Sequence, residues 1–67
     1  MRVRVNNDPI EFNGENRLSV LLKELSMNEK NGIAIAVNAE VVPKKEWLDF
    51  LIRENDDIII IEAAQSG

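Results

Sequence analysis

The last ten residues read IIIIEAAQSG (58–67), four isoleucines that pass without a turn into a run of small residues. β-Branched side chains suit a pleated, buried surface, so 58–61 is predicted to be a strand in the interior of a sheet. Ala63, Ala64, Gln65, Ser66 and Gly67 offer almost nothing to bury. The expected division is a folded domain over residues 1–62 and a flexible C-terminal tail over 63–67, with its carboxylate in solvent. Taken alone, such an end is more often inert than functional. The rest of the chain has to decide between the two.

Immediately before the isoleucines, Asn55, Asp56 and Asp57 form a polar turn. At the other end of the chain, Met1, Val3 and Val5 alternate with Arg2 and Arg4, the pattern of a half-buried strand. Asn6, Asn7 and Asp8 tolerate positive φ, and Pro9 cannot continue a central ladder, so a reversal is expected there. The return strand is predicted over 10–12, with Ile10 and Phe12 facing the core. Residues 18–27 have helical spacing in Leu18, Leu21, Leu22 and Leu25, with Ser19 as the expected cap and Gly32 suited to a left-handed exit. A helix of about two turns needs tertiary packing to persist. Residues 33–37 form a β-rich run, then Asn38 and Ala39 make a turn before the short extended piece 40–42, closed by Pro43. Residues 44–52 are ambiguous: Trp47, Leu48, Leu51 and Ile52 have helical spacing, but Phe50 interrupts it. A brief helical turn is expected, with Trp47 packing into the core.

The order is therefore ββαββ with a short element before the last strand. Two strands, a crossing helix and further strands, with the final strand beside the first, give a ubiquitin-like β-grasp of the α+β class: a mixed sheet with one helix on one face. One small helix covers only one face. Two of the four isoleucines must then lie on the open side, where they would form a docking patch. Counting from Asp57, expected to face water, the alternation puts Ile59 and Ile61 there, although Glu62 supports the opposite phase.

Composition narrows the function. With 45% apolar residues and no long polar run, the 67-residue chain is globular, and it sits near the size at which a core alone can offset an ordering cost of roughly 100 kcal/mol. His and Cys are both absent, which removes imidazole bases, thiol nucleophiles, disulfides and the common zinc ligands, and no metal or bound cofactor is expected. A self-contained enzyme is therefore not expected. The net charge is −4, and the basic residues Arg2, Arg4, Arg17, Lys23, Lys30, Lys44, Lys45 and Arg53 form no stripe, so nucleic acid is not an expected partner. No segment approaches a membrane span, and the start, MRVRV, lacks the apolar run of an export signal, so the expected location is the cytoplasm. Asp56 and Asp57 could suggest a carboxylate pair, but adjacent residues on a strand point apart, and a solvated turn is the better reading.

At GIAIAVNAEVVPKKEW (32–47) and DDIIIIEAAQSG (56–67) the sequence resembles the ThiS family, the sulfur carriers of thiamine biosynthesis. The resemblance covers the whole chain. It implies a ubiquitin-like fold and a C-terminal glycine, here Gly67, that a ThiF-like activating enzyme adenylates with ATP. A sulfur-donating desulfurase system then converts the adenylate to a thiocarboxylate, and sulfur passes to thiazole synthase. Ala63, Ala64, Gln65 and Ser66 would thread into the partner sites. The chain would be a co-substrate of partner enzymes and not itself a catalyst. Ser66 departs from the family pattern, which usually ends in Gly-Gly. An extended path at that position leaves room for the hydroxyl, whereas positive φ would strain it.

The molybdopterin-synthase small subunit shares the fold and the kind of terminus, and length together with NAEVVP favours the ThiS family over it. A different class is a β-grasp interaction module with an inert tail and a binding sheet face, for which Ser66 is the best argument.

Overall fold

The computed structural model describes residues 1–28 and 31–62. Its strands are β1 (Arg2–Val5), β2 (Asp8–Glu11), β3 (Ile33–Val37), β4 (Glu40–Val41) and β5 (Asp57–Glu62), with one helix, α1 (Leu18–Glu24), between β2 and β3. All five strands join in a single mixed sheet of order β2-β1-β5-β3-β4. The isoleucine strand β5 is thus central, parallel to β1 and antiparallel to β3. The expected class is present, with the last strand beside the first, but the order is ββαβββ and not ββαββ, because the short extended piece after the second turn joins the sheet as β4.

Two hairpins frame β5, and each turns through two residues with positive φ. Asn6 (51°) and Asn7 (72°) join β1 to β2, and Asn38 (52°) and Ala39 (69°) join β3 to β4. Positive φ at both central positions matches the right-handed twist of the flanking strands. The first turn is two residues tighter than expected, so β2 begins at Asp8 and not at residue 10, and it includes Pro9. Pro9 is tolerated because β2 is an edge strand, with no neighbour waiting for the missing N–H. Phe12 follows the strand and is buried.

Helix α1 spans 18–24, shorter than the expected 18–27. Ser26 adopts φ 60°, the Met27 amide donates to the Leu22 carbonyl (2.8 Å), and the Ser26 amide donates to that of Lys23 (3.0 Å). This double bond pattern closes a helix C-terminus with a left-handed residue, here Ser26 and not Gly32. Gly32, at φ 75°, bends the chain into β3 instead. Ser19 does not cap the helix either: it lies within α1, after an N-terminal boundary at Arg17 that has no side-chain cap. The free amides of Leu18 and Ser19 donate to the carbonyls of Phe50 (2.9 Å) and Trp47 (3.1 Å). The 47–52 segment, which follows a single 3-10 turn at Lys44–Glu46, therefore supplies the cap from across the sequence.

Leu18, Leu21 and Leu22 of α1 pack with Val3, Phe12, Ile35, Val37, Val42, Trp47, Ile52, Ile58 and Ile60 into one core. Trp47 is a core residue, as its packing role requires, and its indole Nε1 donates to the Val42 carbonyl at 2.8 Å. The helical spacing read over 47–52 splits in space: Ile52 is fully buried, and Leu48 and Leu51 are exposed. Among the described residues no helix is long and apolar enough to cross a membrane.

Candidate functional site

Strand β5 carries one set of side chains into the core and the other onto the helix-free face. Ile58 and Ile60 are buried, Ile59 is half-buried and Ile61 is 59% exposed. Register extends this face across the sheet, because side chains of paired residues lie on the same side. Ile59 sits opposite Ala36, Ala36 opposite Val41, and Ile61 opposite Ala34. Val41 is 71% exposed, so Val41, Ala36, Ile59, Ala34 and Ile61 form an uncovered apolar stripe. Glu62, whose parity matches Ile58 and Ile60, is exposed without contradiction, since β5 runs past the core at that point.

The other half of the same face is charged. Arg2 pairs in register with Glu11, and Arg4 with Pro9 on one side and Asp57 on the other. Arg2 and Arg4 are exposed, and the Arg2 Nε lies 4.0 Å from a Glu11 carboxylate oxygen. Such an exposed pair contributes little to stability.

Asp56 and Asp57 are structural. The Asp56 carboxylate accepts from the Arg53 amide (2.8 Å) and from the Asn38 side-chain amide (2.9 Å), and the Asn38 Oδ1 accepts from the Asp57 amide (3.0 Å). Both aspartates are half-buried, including Asp57, which was expected to face water. One Asp57 carboxylate oxygen, Oδ1, is buried with no hydrogen-bond partner among the described residues. Neither a pocket nor a cluster of three metal-ligating side chains occurs among the described residues. Ala63, Ala64, Gln65, Ser66 and Gly67, the expected tail, lie outside them.

One residue at this end of the sheet escaped the sequence reading. Asn6, read only as a turn former, donates its backbone amide to the Ile58 carbonyl (2.9 Å) and accepts with its side-chain Oδ1 from the Ile60 amide (2.8 Å). Its partner is 54 positions away, and no local pattern announces such a contact.

A five-stranded mixed sheet with β5 at its centre and one helix on one face defines a ubiquitin-like β-grasp domain. The fold agrees with solved structures: a crystal structure of a thiamine biosynthesis protein (ThiS) from Geobacter metallireducens superposes with a TM-score of 0.83 at 19% identity over 100% of both chains. A solution structure of a thiamine biosynthesis protein from the same organism gives 0.78 at 19% identity, covering 100% of this chain and 88% of that one. The ThiS family model matches residues 3–67, and the chain belongs to that family. Among curated proteins, the sulfur carrier protein ThiS of Escherichia coli (strain K12) is 22% identical over 67 residues, 100% of each chain.

Proposed function

We propose that this protein is a sulfur carrier of thiamine biosynthesis, loaded at the carboxylate of Gly67. The observation that supports this most is the family match, which runs through residue 67 and so includes the small-residue segment after β5. A carboxylate is a poor electrophile until a leaving group is attached. In the proposed sequence a Gly67 carboxylate oxygen attacks the α-phosphorus of ATP on a ThiF-like activating enzyme, and the bond to pyrophosphate breaks. The outer sulfur of a desulfurase-derived persulfide then adds to the acyl carbon and AMP departs, and a thiol cleaves the S–S bond of the resulting acyl disulfide, leaving the thiocarboxylate and a disulfide. Thiazole synthase is the proposed acceptor, and the cytoplasm the proposed location. ATP belongs to the activating partner, and the chain itself binds no cofactor in this reading.

The chain contributes geometry to this chemistry. Glycine places the least bulk around the reacting carbonyl, and Ala63, Ala64, Gln65 and Ser66 are proposed to pass through a narrow channel of the partner. The apolar stripe with Ile59 and Ile61 is the proposed docking surface, flanked by Arg2 and Arg4. Incubation with ATP, the activating enzyme, the desulfurase with its sulfur donor and a thiol reductant tests the reading: intact-protein mass spectrometry should show one terminal oxygen replaced by sulfur. A chain that never forms the adenylate would instead be a β-grasp interaction module, the reading that the uncovered Val41 and Ile61 also support. Copurification with a molybdopterin-synthase large subunit in place of thiazole synthase would move the carrier to the other pathway.

A further inference from the structure

Strand β5 is gripped unequally along its length. On its β3 side the ladder runs from Val37↔Ile58 to Ile33↔Glu62, the full exit from the core. On its β1 side it consists of Arg4↔Asp57 and Val5↔Ile58, after which β1 turns away. Asn6 extends that seam from the turn itself. Its backbone amide reaches the Ile58 carbonyl, and its side-chain Oδ1 takes the place of the next strand carbonyl by accepting from the Ile60 amide at 2.8 Å. Asparagine suits the position twice over: it tolerates the φ of 51° that the turn requires, and it carries an acceptor on a short stem.

We infer that Asn6 is a positioning residue for the terminal chemistry, holding Ile60, Ile61 and Glu62 in place so that the segment after them starts from a fixed point and direction. The inference rests on the carrier reading proposed above. Without the Oδ1 acceptor the Ile60 amide loses its partner, and the tie between the exit of β5 and the β1–β2 turn is lost. A carrier that presents a terminal carboxylate to a distant centre is sensitive to this, because an ångström-scale displacement at the base is passed on to the reacting atom. Asn38 provides the contrast. It occupies the same place in the other hairpin turn at nearly the same φ, 52°, and its Oδ1 also accepts from a β5 amide, that of Asp57. That contact secures the start of the strand and leaves its exit untouched.

Asn6→Gly deletes the acceptor while keeping the positive φ, Asn6→Asp restores an acceptor at the same place, and Asn38→Gly removes the matching bond at the far end of β5 together with the Asn38 bond to Asp56. Loading is followed as kcat/KM for adenylation by the activating enzyme, with all proteins held below their melting transitions. Asn6→Gly should load about ten-fold more slowly, and Asn6→Asp and Asn38→Gly should remain within about two-fold of the wild type. Hydrogen exchange should quicken at the Ile60 amide in Asn6→Gly and stay unchanged at the Val42 amide, which donates to Ile35 elsewhere in the sheet. Equal loss of loading in Asn6→Gly and Asn38→Gly would reduce the effect to stability and overturn the role of Asn6, as would normal loading in Asn6→Gly. Wild-type protein that is never adenylated would instead sink the carrier reading, and the role of Asn6 with it.

Discussion

The two faces of β5 are made of the same residue type and serve opposite ends. Ile58 and Ile60 are buried in one core with the leucines of α1, Trp47 and Ile52, whereas Ile59 and Ile61 look out from the sheet beside Ala34, Ala36 and Val41. Alternation alone separates them. The core face has large partners, Leu22, Ile35 and Trp47 among them, and the open face has alanines next to its isoleucines. A protein this small would gain by burying four isoleucines, and leaving two outside reserves part of its apolar surface for something other than its own stability.

The sharpest way to break the comparison is at Ile58. Ile58→Ala should cost about 2–5 kcal/mol of unfolding free energy in chemical denaturation, and Ile61→Ala about 0.5 kcal/mol or less. Similar costs for both would erase the distinction between the faces. Next in size, Ile61→Glu should weaken binding to the activating enzyme roughly ten-fold, about 1.4 kcal/mol, with the melting temperature nearly unchanged. Calorimetric titration reads the first quantity, and a fall in melting temperature in place of a weaker titration would return Ile61 to the core. A smaller effect is expected at the start of the strand, where Asp57 Oδ1 is buried without a partner among the described residues. Asp57→Asn places an amide, which can donate as well as accept, where that oxygen lies and should raise stability by about 1 kcal/mol or less; a loss of that size would reveal a contact the carboxylate makes. Ser66→Gly should matter least, changing the adenylation rate by less than about three-fold, well under 1 kcal/mol on the barrier. A ten-fold gain would mark Ser66 as a handicap to the carrier and favour the interaction module.

Much of this was legible in the sequence because it rests on periodicity. The alternation of 1–5, the leucine spacing of α1 and the β-rich runs each report a buried face, and burial is what repeats; the phase of β5 came out as counted although Asp57, its starting point, is half-buried. What stayed hidden is long-range or depends on dihedral choice. Leu25 continues the apolar spacing of the helix, so nothing in composition shows that Ser26 turns left-handed and ends it. The cap of α1 comes from backbone carbonyls at 47 and 50, which have no residue signature, and so Ser19 attracted the role by default. Pro9 argued against a strand until the sheet order placed it on an edge. At the candidate site, the open isoleucines follow from pattern, but Asn6 required the fold, because a turn residue and a bracket for a remote strand look the same in one dimension.

The sheet order also governs how the molecule is built. Its central strand is the one made last: β1 and β2 form one local hairpin, β3 and β4 another, and neither touches the other in the strand order until residues 57–62 slide between them. The closing step joins segments that are distant in sequence, which is slow compared with helix or hairpin formation. The apolar stripe spans β5, β3 and β4, so a growing chain cannot display it in finished form before the strand leading to the small-residue segment exists. A partner that recognises the completed stripe therefore binds only chains in which β5 has been made and has taken its place between the two hairpins.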